Sequence, residues 1–137
     1  MKKILADDLD ETVRRKIDEF TQIVNSRFLH KKLVIDPDHG FLIQTATNTI
    51  LRPEQLSSGE QHAVIILFEL LFTVERNTLM LIDEPELSLH VFWQQQFIRD
   101  IETILRFVDF DVVIATHSPQ IIHDRWDLTG ELRRPEE

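Results

Sequence analysis

The sequence predicts an α/β fold, with parallel sheet strands joined by helical crossovers, preceded by a helix and a β-hairpin. Three observations carry this. Leu79-Met80-Leu81-Ile82 and Val112-Val113-Ile114-Ala115 are short apolar runs that read as strands buried on both faces. A helical pattern from about Val91 to Phe107 lies between them, as a parallel connection requires. Nearer the amino end, Asp36-Pro37-Asp38-His39-Gly40 separates Leu33-Val34-Ile35 from Phe41-Leu42-Ile43, which is hairpin chemistry.

The remaining elements follow in order. Residues 9–29 read as an amphipathic helix, with Val13, Ile17, Phe20 and Val24 at helical spacing and charges between them. Acidic residues crowd its start, and Lys31 and Lys32 follow its end, in keeping with the helix dipole. Thr45 to Leu51 reads as continuing strand. From Ser58 to about Glu75 the pattern is a helix, apolar nearly all round and therefore expected to be buried. Ser118 and Pro119 suit the cap and first turn of another short helix.

The chain has 137 residues, enough for one domain or part of one, and 42% of them are hydrophobic. A net charge of -9 argues against nucleic-acid binding over the whole surface, though Arg14, Arg15 and Lys16 adjoin, as do Lys31 and Lys32. There is no cysteine, hence no disulfide or thiolate metal site. Asp7, Asp8, Asp10 and Glu11 interrupt the apolar start that a signal peptide needs. The longest apolar run, Ala63 to Phe68, is too short to span a bilayer. A cytoplasmic protein without membrane segments is expected.

In a parallel sheet, chemistry gathers beyond the carboxyl ends of the strands. Asp83-Glu84-Pro85 follows the first buried run. Adjacent carboxylates there can divide the work of holding a magnesium ion and taking a proton from water. A polar turn ending a strand would look the same. Thr116-His117-Ser118-Pro119 follows the second run, and its histidine could bond a phosphate oxygen or only nearby backbone. Leu56-Ser57-Ser58-Gly59-Glu60-Gln61 opens the apolar helix. Ser57 and Glu60 have capping-box spacing, and the same orphan amides bind anions.

Together and in this order, these segments resemble the ABC-type ATPase family, in the branch with RecF-like, SMC-like and OLD-like ATPases. Leu56–Gln61 is similar to the signature motif, Leu79–Pro85 to the Walker B strand, Glu86–His90 to the D-loop, and Ala115–Pro119 to the switch-histidine loop. The resemblance covers roughly residues 56–124 and implies the carboxyl-terminal part of a P-loop NTPase fold. It divides the chain, as a single partial ATPase domain, into 1–55, 56–124 and a tail, 125–137. It implies ATP and Mg2+ as cofactors. Asp83 would help hold the metal, Glu84 would be the general base, and His117 would contact the terminal phosphate. Ser57, Ser58, Gly59 and Glu60 would form the signature turn that meets ATP held by a partner subunit. Ser88 would sit at the seam of a homodimer, or of a pair with a partner ATPase half, around a nucleotide sandwich. Relatives of this branch act in DNA repair, chromosome handling and anti-phage defence, often beside a nuclease domain, but no residue here points to DNA or a nuclease as a partner.

The sequence departs from the family in one large respect. Gly40, Gly59 and Gly130 are its only glycines, and none forms the Gly-x-x-x-x-Gly-Lys-Ser/Thr loop of Walker A. No convincing glutamine loop appears, and Val91 stands where OLD-like relatives commonly carry proline. The expectation is therefore a carboxyl-terminal fragment that hydrolyses ATP only with a Walker A segment from elsewhere. With a central strand missing, such a chain should be poorly soluble or self-associating. The alternative is a non-catalytic interaction module supplying its signature motif in trans.

Overall fold

The computed structural model describes residues 11–131. Residues 9 and 10 of the predicted first helix, its acidic leader at Asp7, Asp8 and Asp10, and residues 132–137 of the tail lie outside the described residues.

Helix α1 (Glu11–Arg27) buries Phe20, Ile23 and Val24. Val13, expected on the buried face, is exposed. Next come β1 (Lys31–Asp36) and β2 (Gly40–Thr45), paired antiparallel with Leu33 opposite Ile43. The Asp36 carboxylate closes their turn by accepting from the amides of Asp38 and His39. Gly40, at φ +77°, supplies the left-handed backbone the turn requires. The predicted strand Thr45–Leu51 is instead a second turn. Asn48, at φ 61°, reverses the chain, and β3 (Ile50–Leu51) pairs back onto β2.

Helix α2 (Ser58–Phe68) runs into one wider turn, Glu69–Thr73. It is only partly buried, contrary to expectation. Ala63 and Leu67 face the core while Ile65 and Phe68 remain exposed. The Phe20 ring joins this helix to the hairpin, standing edge-on to Phe41 at 5.1 Å, Phe72 at 5.7 Å and Phe68 at 5.9 Å.

Strands β4 (Leu79–Asp83) and β5 (Asp111–Ala115) pair in parallel, Leu79 opposite Asp111 and Asp83 opposite Ala115. Their crossover is not one long helix, as the periodicity suggested, but α3 (Val91–Gln94) and α4 (Phe97–Ile104). At Gln96 the amide reaches back to Trp93 O at 3.2 Å, a tightened turn that breaks the helical ladder. Nor are the strands buried on both faces. Met80, Ile82, Val112 and Ile114 pack against the core, while Leu79, Leu81 and Val113 are 57, 69 and 55% exposed. Only one layer of described residues covers this sheet. Helix α5 (Pro119–Ile122) follows, with Ser118 Oγ accepting from Gln120 N as its cap. The segment after it is pinned by Arg99 to Asp124 and by Arg125 to Glu102 and Asp127. Among the described residues, no helix is long and apolar enough to cross a membrane.

One ion pair lies inside. Arg27 on α1 meets Asp100 on α4 at 2.6 Å, both nearly buried. Burial pushes the Asp100 carboxyl up to about 6, against the opposing pull of Arg27. Between its ordinary 3.8 and about 6, the folded chain holds a proton that the unfolded chain has released. Its contribution to stability therefore falls as pH rises through that window. Asp100→Asn should remove this term, so wild type loses stability relative to the variant from pH 4 to pH 6 in urea melts. A pH-independent difference would count against it. The open face gives a second expectation: the chain self-associates in light scattering, and Leu81→Lys reduces the association.

Candidate functional site at the carboxyl ends of the parallel strands

Parallel register brings the two strand-end motifs to one edge. Glu84 N donates to Ala115 O at 2.8 Å, one step beyond the last paired residues. Glu84 takes a left-handed backbone, φ 44° and ψ 54°. That is uncommon for a residue with a side chain, and a residue before proline ordinarily prefers extended backbone. The conformation turns the chain sharply into the helical turn Pro85–Leu87, whose Pro85 is buried. Such an outlier, held against two preferences, is the kind of strain that gathers at functional sites.

The His117 ring stands with Nε2 3.8 Å from Glu84 Oε1. Its side chain is 91% exposed and that of Glu84 41%, so both face open solvent. Asp83 is exposed, and among the described residues no donor holds its carboxylate. Asp83, Glu84, Thr116 and His117 line one end of a cleft of about 860 Å³ that follows β5 and α4 toward residues 128–131. Among the described residues no three carboxylate or imidazole groups gather as a ready-made metal site, so a cation here would rest on Asp83 and Glu84 and on ligands from outside the chain. Magnesium in particular takes one or two carboxylates and fills its shell with water and phosphate oxygens.

Glu86 was not among the expected site residues, yet both its carboxylate oxygens are bonded there. Its Oε2 accepts from Thr116 Oγ1 at 2.7 Å and its Oε1 from His117 N at 2.9 Å. Burial pushes the carboxyl up, but the bonds from Thr116 and from the amides of Glu86 itself, His117 and Ser118 outweigh it and hold the group below its usual range. Gln94 was also missed. Its amide is buried, donates to Leu89 O at 2.9 Å and Glu86 O at 3.2 Å, and accepts from Ser118 Oγ at 3.0 Å. The one sequence signal for Gln94 is a polar residue beside Trp93 in an otherwise apolar helical stripe. For Glu86 there was none beyond its place in the turn.

The expected glycine-bearing turn lies at the start of α2. Its capping box is formed: Ser57 N and Oγ donate to Glu60 Oε2 at 3.0 and 2.9 Å, and Glu60 N returns to Ser57 Oγ at 3.3 Å. Lys31 Nζ, 2.9 Å away, completes the Glu60 carboxylate. Burial pushes this carboxyl up, and the bonds from Lys31 and Ser57 hold it below its usual range. The first two helical amides, of Ser58 and Gly59, lie outside the intrahelical ladder and remain open donors. A Cβ on Gly59 would come 3.1 Å from Ser88 O and 3.4 Å from His90 N. Glycine thus suits the close approach of the 88–90 backbone, which would have to give by a few tenths of an ångström to admit a Cβ. Of the basic residues noted in the sequence, Arg15 lies over Phe107, Lys16 Nζ donates to Leu71 O and Lys31 is committed to Glu60. These three are engaged in the fold, which leaves less of a basic patch than the sequence suggested.

The AAA ATPase domain family matches residues 1–122. The chain belongs to that family. It is 29% identical to the Retron Ec83 probable ATPase of Escherichia coli over 89% of this chain, and spans 27% of that relative's length. Among solved structures, it aligns with the Smc head bound to the C-winged helix domain of ScpA at a TM-score of 0.53. That alignment has 17% identity and covers 82% of this chain and 38% of the other. At that identity the likeness speaks to fold, and the fold is the P-loop NTPase-like α/β arrangement of the SMC-type ATPase head.

The Gly59 contact is testable on stability alone. Gly59→Ala gains helix propensity but forces its Cβ against backbone atoms. It should lower the unfolding free energy by about 1 kcal/mol in urea melts. A stabilised variant would mean that the 88–90 backbone yields freely.

Proposed function

We propose that this chain forms the water-activating side of an ATP-hydrolysing site of the ABC/OLD-like kind. The phosphate-binding Walker A loop would come from residues outside this sequence. The observation that carries the reading is the placement of Asp83, Glu84 and His117 at one edge of the parallel strand pair, in a chain of the AAA ATPase domain family.

Each side chain then has a task that its surroundings permit. Asp83, with no competing donor among the described residues, takes part in holding Mg2+. When bound, the ion would neutralise charge on the phosphate oxygens of ATP. Glu84 is the general base. Its exposed carboxylate accepts a proton from water, and its left-handed backbone fixes the carboxylate just beyond the sheet. His117 donates to the terminal phosphate from the end of the neighbouring strand, within reach of the same water.

The α2 start serves a second nucleotide. Ser57 and Ser58 are exposed, and the open amides of Ser58 and Gly59 suit an anionic oxygen. Glu60 would repel a phosphate there, but Lys31 neutralises it. In the proposed arrangement this turn meets ATP held by a second copy or a partner ATPase, with Ser88 at the seam.

Adding a segment that bears Gly-x-x-x-x-Gly-Lys-Ser/Thr should give ATP turnover that the chain alone lacks. Glu84→Gln should then lower turnover about 100- to 10,000-fold with nucleotide affinity retained in an ATP-analogue titration. Turnover that survives Glu84→Gln would remove Glu84 as the base.

A further inference from the structure

We infer that Glu86 is a positioning residue: its carboxylate clamps the Thr116–Ser118 loop and thereby fixes where the His117 ring stands beside Glu84. The carboxylate reaches across thirty-odd residues of sequence and spends both oxygens on that loop, one on the Thr116 hydroxyl and one on the His117 amide. Charge-assisted bonds of this kind are shorter and stronger than neutral ones. Thr116 relays the hold, because its Oγ1, while donating to Glu86, accepts from Ser118 N at 3.0 Å. Three consecutive residues of the loop are therefore tied, directly or through one hydroxyl, to a single side chain.

Packing does not do the same work. The His117 ring is almost fully exposed and has one polar neighbour among the described residues, Glu84 at 3.8 Å. Its position is thus inherited from its backbone, and that backbone is held by Glu86. On the other side Leu87 is 81% exposed, so that residue gives the turn carrying Glu86 no anchor. It is anchored by buried Pro85 and by Gln94, whose amide donates to Glu86 O and Leu89 O and accepts from Ser118 Oγ. Glu86 and Gln94 together make two independent bridges between the 85–90 turn and the 116–118 loop. The Gln94 bridge is buried, while the Glu86 bridge lies nearer the surface, beside Glu84 and His117.

The meaning of this clamp for catalysis rests on the role proposed for His117, but the clamp itself is read without nucleotide. Residue-resolved hydrogen exchange of the full chain is the test. In wild type the His117 and Ser118 amides should be protected. Glu86→Ala should speed exchange at His117 about tenfold, with β4 and β5 amides unchanged. Glu86→Gln keeps one acceptor oxygen and should restore most of the His117 protection. Thr116→Val, which leaves Glu86 in place, should speed Ser118 while sparing His117. Glu86→Asp, whose carboxylate stops one methylene short of the loop, should also speed exchange at His117 and decides the question if Glu86→Ala does not fold. Unchanged exchange at His117 in both Glu86→Ala and Glu86→Asp would overturn the clamp. So would a uniform loss across residues 79–83 and 111–115, which would mark Glu86 as merely structural. Absence of ATP binding, by contrast, would defeat the proposed function and leave these outcomes as they stand.

Discussion

Parallel pairing of β4 with β5 sets Asp83 opposite Ala115, and the whole site is built out from that register. A parallel pair must leave the sheet in the same direction on both strands, so the loops that follow them emerge side by side. Glu84 continues the ladder by one hydrogen bond to Ala115 O and then turns. A slip of one residue would send Asp83 to the covered face and bring Ile82 to the open one. The apolar residues Met80, Ile82, Val112 and Ile114 guard against that slip, because they are the face that packs on the core.

The amino-terminal half acts as a buttress for this pair. Phe20 links α1, the hairpin and α2 through edge-on ring contacts, and Arg27 ties α1 to α4 through Asp100. A buried ion pair of this sort adds little net stability, since desolvation offsets its attraction. It does fix which helix faces which. Lys31 makes a similar link from β1 to the capping box of α2. The turn at Ser57–Gly59 is consequently held from two sides, by Lys31 through Glu60 and by the 88–90 backbone against Gly59.

Features that depend on chemistry between near neighbours along the chain were legible in the sequence. The hairpin at Asp36–Gly40, the Ser57–Glu60 box, the Ser118 cap and both parallel strands are of this kind, and each is found where its residues put it. Features set by what lies opposite were not. The reversal at Asn48 competes with a plausible strand, and only pairing of Ile50 and Leu51 onto β2 decides between them. The break at Gln95–Gln96 sits inside a good helical pattern and yields to the path the crossover must take. One-sided exposure of Leu79, Leu81 and Val113 is a property of the covering layer rather than of the strands. Asp83, Glu84 and His117 were legible as a group because strand ends collect them. Glu86 and Gln94 act on residues two dozen or more positions away, and no local spacing marks such a pair.

The left-handed backbone of Glu84 sets stability and chemistry against each other at a single codon. Glycine there would relieve the torsional cost, on the order of 1 kcal/mol, and would also free the residue before Pro85 from its steric conflict. It would delete the carboxylate in the same stroke. A population of variants sorted only for heat resistance should therefore drift toward glycine at position 84, and one sorted for turnover should drift back to glutamate. A strained glutamate where a relaxed glycine fits is what the proposed role of Glu84 would require, and one backbone angle carries that consequence.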